Sequence, residues 1–251
     1  MTFLRHFFSA LPVLLALATP LAALDLETMT DAEREIFRAE MRSYLLENPE
    51  VIMEAIDILQ QRQDAAQLDA DRQLALAHTD ALVNDGVSWV GGNPDGDVTL
   101  VEFMDYRCTY CKQAFAEVNQ LVQGDGNIRF IVKEFPILGE QSKLAAQFAI
   151  AVKNLHGPDI YADIHEALMT MRTDITPESL TRLAESFALD PAPLFVAMDG
   201  PEVAAELEAN AALGNALQIT GTPTFVMEDQ MLRGYVPLDQ MQQIVVAVRA
   251  D

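Results

Sequence analysis

The chain has 251 residues and carries 16 Lys+Arg against 38 Asp+Glu, a formal charge of -22. A surface that acidic repels nucleic acid and anionic membranes, so neither is an expected partner. Apolar residues make up 50% of the chain, enough for a sizeable core, and the 2 cysteines are too few for a disulfide-built scaffold.

Residues 1–23 read as a secretory signal. Arg5 and His6 form a short basic region, Phe7 to Leu17 is almost wholly apolar, and Ala18, Ala22 and Ala23 supply small residues for cleavage. A membrane anchor is the competing reading. It is disfavoured because the run is shorter than the roughly 20 residues of a span and is interrupted by Pro12 and Pro20. No cysteine adjoins the run, which argues against a lipoprotein. The expectation is an exported protein, soluble in the periplasm after cleavage.

Residues 24–86 carry no strand signal and read as a helical segment. Thr30-Asp31-Ala32-Glu33 is a capping box, and Ile36, Phe37, Met41, Tyr44 and Leu45 give the helix an apolar face. Asn48-Pro49 is expected to restart the helix, with Asn48 as cap and Pro49 at the first helical position. Ile52, Ile56 and Leu59 continue the stripe. One helix from Pro49 to Val83 would reach about 50 Å. Its stripe needs a partner, either the rest of the chain or another copy, and periodicity alone does not choose between them.

Residues 87–251 read as an α/β module. Strands are expected at Val87–Val90, Val98–Met104 and Ile128–Lys133, with a helix from Cys108 to about Val122 between the last two, making a βαβ unit. A helical insertion then spans about 138–217. Its helices are Ser142–Leu155, Ile160–Met171, Pro177–Phe187, Pro191–Met198 and Pro201–Leu217. Thr176-Pro177 and Asp190-Pro191 are cap-plus-proline starts. Strands at Thr224–Met227 and Met231–Arg233 and a helix at Leu238–Val248 close the chain.

Both cysteines lie in Cys108-Thr109-Tyr110-Cys111, at the start of the expected helix. Unsatisfied N–H groups and the helix dipole stabilise a thiolate there, and the thiolate is the nucleophile. A tight disulfide would staple almost nothing, so a structural role is weak. Zinc would need two further ligands, and His6, His78, His156 and His165 show no paired spacing. A redox dithiol is the reading that remains. Pro223 enters a strand, where it donates no ladder bond. A cis Thr222–Pro223 bond would expose the Thr222 backbone beside the cysteines for an extended substrate, whereas an ordinary trans proline at a strand start would do nothing special.

The run Phe103-Met104-Asp105-Tyr106-Arg107-Cys108-Thr109-Tyr110-Cys111-Lys112, followed far downstream by Gly221-Thr222-Pro223-Thr224-Phe225, resembles DsbA-type thiol–disulfide oxidoreductases over roughly Val87 to Asp251. The resemblance implies a thioredoxin-like α/β fold with an inserted helical domain, and a cis Thr222–Pro223 peptide against the dithiol. Tyr44-Leu45-Leu46-Glu47-Asn48-Pro49-Glu50-Val51 is similar to the N-terminal domain of ScsC-like and Com1-like periplasmic proteins. That implies a homo-oligomer held through the N-terminal helices.

Roles follow from the pattern and the resemblance together. Cys108 is the expected attacking thiol and Cys111 the resolving one, with Thr109 and Tyr110 tuning the poise. Thr109 departs from the glycine or proline common after the first cysteine, so the poise is expected to differ. The resemblance puts Glu102, six before Cys108, at the place of a buried acid that exchanges a proton with Cys111. An exposed strand position is the alternative. His78, His156 and His165 receive no role, and the methionines read as core filling.

The expected function is periplasmic thiol–disulfide exchange with exported proteins that carry thiols or disulfides, served by a membrane redox partner and needing no cofactor. Thr222 before Pro223 resembles the isomerase-type DsbC and DsbG proteins, so isomerisation is a possible direction. A second class is capture of Cu(I) by the same two thiolates, and a third is a holdase that uses only the helical segment.

Overall fold

The computed structural model describes residues 28–250. The expected signal segment, residues 1–23, lies outside them. Among the described residues no helix is long and apolar enough to cross a membrane. Contacts divide the chain into two compact units that meet between Gln60 and Gln61.

In the first unit, α1 spans Asp31–Glu47 and α2 begins at Glu50. The capping box is formed: Glu33 Oε2 accepts from Thr30 N at 2.8 Å, and Thr30 Oγ1 accepts from Glu33 N at 3.3 Å. Asn48 departs from its expected role. Its side-chain amide donates to the Tyr44 carbonyl at 2.9 Å, so it closes α1 rather than capping α2. No residue of α1 is buried. Ile36, Phe37, Met41, Tyr44, Ile52, Ile56 and Leu59 are all exposed.

α2 runs Glu50–Ala77. The single helix expected to reach Val83 is broken: His78 adopts φ -115° and ψ 15°, and α3 follows at Thr79–Val83. Thr79 Oγ1 contributes to the break by hydrogen bonding back to the carbonyls of Ala75 and Leu76, at 3.2 and 3.0 Å.

The second unit is built on a five-stranded sheet of order β1-β3-β2-β4-β5. Its strands are β1 Trp89–Gly92, β2 Val98–Met104, β3 Ile128–Glu134, β4 Thr224–Met227 and β5 Gln230–Arg233. β2 and β3 are parallel, joined through helix α4 (Thr109–Asp125), while β1, β4 and β5 pair antiparallel with their neighbours. β1 starts two residues later than expected. The amides of Val87 and Ser88 are bound by Asp85 Oδ1, at 3.1 and 3.0 Å, so the ladder begins at Trp89.

Period-two alternation sends the strand side chains into two separate cores. Leu100, Met104, Phe130 and Val132 face one way and pack with α4, with the inserted helices α5 (Glu140–His156), α6 (Pro158–Thr170), α7 (Pro177–Ser186) and α8 (Pro191–Met198), and with the closing helix α10 (Leu238–Val248). Val101, Phe103 and Ile131 face the other way. That second core is covered by Leu213 and Leu217 around the end of α9 (Pro201–Ala216), and by Ala75 of α2 and Leu82 of α3. α9 comes close because position 214 is glycine: a Cβ there would stand 2.5 Å from the Phe135 ring.

Two ion pairs fasten the tail of α2 and its connector to this sheet. Arg233 of β5 holds Asp71 with Nε at 2.9 Å and a terminal nitrogen at 2.7 Å. Lys133 of β3, fully buried, reaches Asp85 at 2.6 Å and the Ala81 carbonyl at 3.0 Å.

Candidate active site

Cys108 is the N-cap of α4, with φ -74° and ψ 119°. The turn that presents it is bound by Asp105, whose carbonyl accepts from Cys108 N at 3.0 Å. The Asp105 carboxylate accepts from the amides of Arg107 (2.7 Å), Ile137 (2.9 Å) and Leu138 (3.0 Å), which ties the turn to the loop after β3.

Cys108 Sγ accepts from the Cys111 amide at 3.4 Å and lies 3.1 Å from the Thr222 carbonyl oxygen. Both thiols are free. The Cys108 thiol is pulled down to about 5, first by a hydrogen bond from the Cys111 side chain and further by the amides of Cys111 and Tyr110, against the opposing effect of burial. Cys111 is completely buried, and its pKa is raised by that same thiol–thiol bond, by desolvation and by Glu102. The dithiol is therefore asymmetric: one thiolate ready to attack, one proton firmly held.

The Thr222–Pro223 peptide is cis, and it leads into β4 with Pro223 buried and Thr222 half-buried. Thr109 and Tyr110 are exposed between the cysteines. Glu102 lies on β2, 2% exposed, on the sheet face that carries Leu100 and Met104. Burial pushes its carboxyl up to about 8, helped by the charge of Cys108, and its Oε1 has no hydrogen-bond partner.

Four residues that the sequence did not single out for the site lie beside it. Tyr106, two before Cys108, is buried and donates its hydroxyl to Glu134 Oε1 at 2.7 Å. Tyr161 of α6 donates to the same oxygen at 2.8 Å, and His165 Nδ1 meets the Tyr106 hydroxyl at 2.9 Å. The spacing of Tyr161 and His165, four apart on a helix, was the one available signal. Trp89 lies over this cluster, 5.5 Å from the Tyr161 ring and 6.4 Å from His165.

With this geometry in place, comparison with known proteins is specific. Residues 99–246 match the DSBA-like thioredoxin domain, and residues 33–66 match the Copper resistance protein ScsC N-terminal domain. The curated Disulfide bond formation protein D of Bacillus subtilis (strain 168) is 29% identical over 164 residues, covering 61% of this chain and 73% of that protein. The crystal structure of a thioredoxin-like oxidoreductase from Silicibacter pomeroyi DSS-3 is 42% identical, covers 68% of this chain and 98% of its own, and superposes with a TM-score of 0.65. Proteus mirabilis ScsC in a compact conformation is 32% identical, with 86% of this chain and 98% of that chain covered and a TM-score of 0.65.

Proposed function

The chain belongs to the DSBA-like thioredoxin-domain family of thiol–disulfide oxidoreductases, and from that premise we propose that it exchanges disulfides with exported proteins in the periplasm through Cys108 and Cys111. The observation that carries the reading is Cys108 Sγ at the helix start, 3.4 Å from the Cys111 amide and 3.1 Å from the Thr222 carbonyl.

In this reading the Cys108 thiolate attacks one sulfur of a client disulfide. The client S–S bond breaks, one client sulfur leaves as thiolate, and a mixed disulfide joins Cys108 to the other. Cys111 gives its proton to Glu102 and attacks Cys108 Sγ. The second client sulfur leaves, and Cys108–Cys111 is oxidised as the client is reduced. The reverse sequence donates a disulfide. The Thr222 backbone lies where an extended client segment can pair with it, and Thr109 and Tyr110 touch the same segment.

Isomerisation is the direction we propose for the assembled protein. Thr222 before Pro223 supports it, as do the exposed apolar residues of α1 and early α2, which suit a homo-oligomer that sets several sites around one client. Refolding of scrambled ribonuclease, run beside oxidation of a reduced client, tests the direction. Cys108→Ser is expected to abolish both. Activity that survives in Cys108→Ser would sink the redox reading and leave the holdase alternative.

A further inference from the structure

Resolution of the mixed disulfide leaves a proton on Glu102 at a moment when the client covers the catalytic face. Glu102 is 2% exposed, so that proton needs another way out. The same sheet face offers one. Glu102 pairs with Val132 across β2 and β3, and Glu134 pairs with Met104, so the two glutamates are diagonal neighbours on one face. Three buried side-chain oxygens among the described residues lack a hydrogen-bond partner, and two of them are Glu102 Oε1 and Glu134 Oε2. Buried polar oxygens rarely stay unpaired, and a water between the two carboxylates would satisfy both.

Beyond Glu134 the path is continuous. Its Oε1 is 2.7 Å from the Tyr106 hydroxyl, which is 2.9 Å from His165 Nδ1. His165 is 4% exposed and lines a groove of about 470 Å³ whose wall also includes Trp89, Phe115, Asn119 and Glu166. A hydroxyl between an acid and an imidazole can donate to one while accepting from the other, and a neutral imidazole passes a proton by exchanging tautomers. Burial keeps His165 neutral, with its pKa lowered to about 3, and lifts Glu134 to about 8. Glu134 is faced by Tyr106 from the active-site turn and by Tyr161 from α6, and it feels Glu206 of α9 and Lys153 of α5 through space.

We infer that Glu134, Tyr106 and His165 form a proton relay that carries the Cys111 proton from Glu102 to the lateral groove, while the catalytic face is occupied. The inference rests on the dithiol chemistry proposed above. One proton leaves Cys111 and one enters the groove: the Tyr106 hydroxyl turns from Glu134 toward His165 Nδ1, each group between keeps its charge, and His165 ends as the other tautomer, which exchange with solvent in the groove resets. The departing client thiolate takes its own proton from solvent.

The test is single-turnover kinetics on the full chain with a disulfide-bonded peptide, from pH 5 to 9, timing mixed-disulfide formation and its resolution separately. Glu134→Gln keeps an acceptor for both tyrosines but cannot exchange a carboxyl proton, and Tyr106→Phe keeps the ring without the hydroxyl. Each is expected to slow resolution roughly 10-fold, less than the about 10²-fold of a lost general acid–base group, and to flatten its pH dependence. Formation should keep its wild-type rate, and the double variant should be no slower than either single. Wild-type resolution in both variants overturns the relay. So does a slowing shared equally by formation, because a misplaced turn would impair both steps. A wild-type chain that forms no mixed disulfide overturns the redox reading itself, and the relay with it.

Discussion

Cys108 and Cys111 stand one helical turn apart, yet they hold their protons with very different strength. Alkylation of Cys108 should reach half its limiting rate near pH 5, while Cys111 stays unreactive until the protein unfolds. Peptide mapping after labelling at stepped pH checks this, and equal labelling near the ordinary thiol pKa of about 8.5 would contradict it. Glu102 makes the opposite prediction for stability. Its pKa is raised to about 8 in the folded state, so the stability it contributes is full below its unfolded value of about 4.3 and is lost as pH rises through about 8. Glu102→Gln should match wild type near pH 4 and exceed it near pH 9 by several kcal/mol, on the order of 4, in urea titrations. The cysteines could be placed from sequence because a helix start beside Cys-x-x-Cys has one strong chemical meaning. The Glu134, Tyr106 and His165 cluster could not. Its hydrogen bonds join residues 28 and 59 positions apart, and each member alone fits a plain core or rim position.

At the scale of elements, local chemistry decided where segments begin and stop. The strand and helix runs carried by periodicity, β2, β3, β4 and α10, were legible because burial on one or both faces fixes their pattern. The break at His78, the late start of β1 and the switch of Asn48 to the end of α1 were not. Each depends on one side chain whose bonds to the backbone compete with a regular ladder. The Lys133–Asp85 pair shows how much one such contact can carry. The Lys133 side chain is 1% exposed, so Asp85→Ala leaves its ammonium with the Ala81 carbonyl alone. That should cost about 3 kcal/mol or more, whereas Asp85→Ala combined with Lys133→Met should recover most of the loss. Chemical denaturation of the two variants distinguishes a buried pair from a superficial one.

For the molecule as a whole, the front segment is not one separable piece. The compact units part at Gln60 and Gln61, and Asp71, Ala75, Leu82 and Asp85 all serve the second core or its ion pairs. A chain starting at Gln61 should therefore fold and exchange disulfides, with isomerase activity lost much more than oxidase or reductase activity. A chain starting at Val87 should be poorly folded, because it uncovers Val101 and Phe103 and leaves Lys133 and Arg233 without their carboxylates. Light scattering of the full chain and the Gln61 form, with both assays run on each, checks the assembly as well as the boundary. A monomeric full chain would remove the structural basis of isomerisation.

Trp89 is the chain's single tryptophan, and it lies in the groove beside His165 with its indole N–H on the Pro158 carbonyl at 2.9 Å. The protein thus carries one indole fluorophore, placed at the outlet of the relay, stacked on His165 and tilted against Tyr161 rather than set on the dithiol. Its emission gives an optical readout of that groove in the unlabelled protein, separate from any assay of the sulfurs. A change in brightness on reduction that travels through Tyr106 and His165 should fade in Tyr106→Phe.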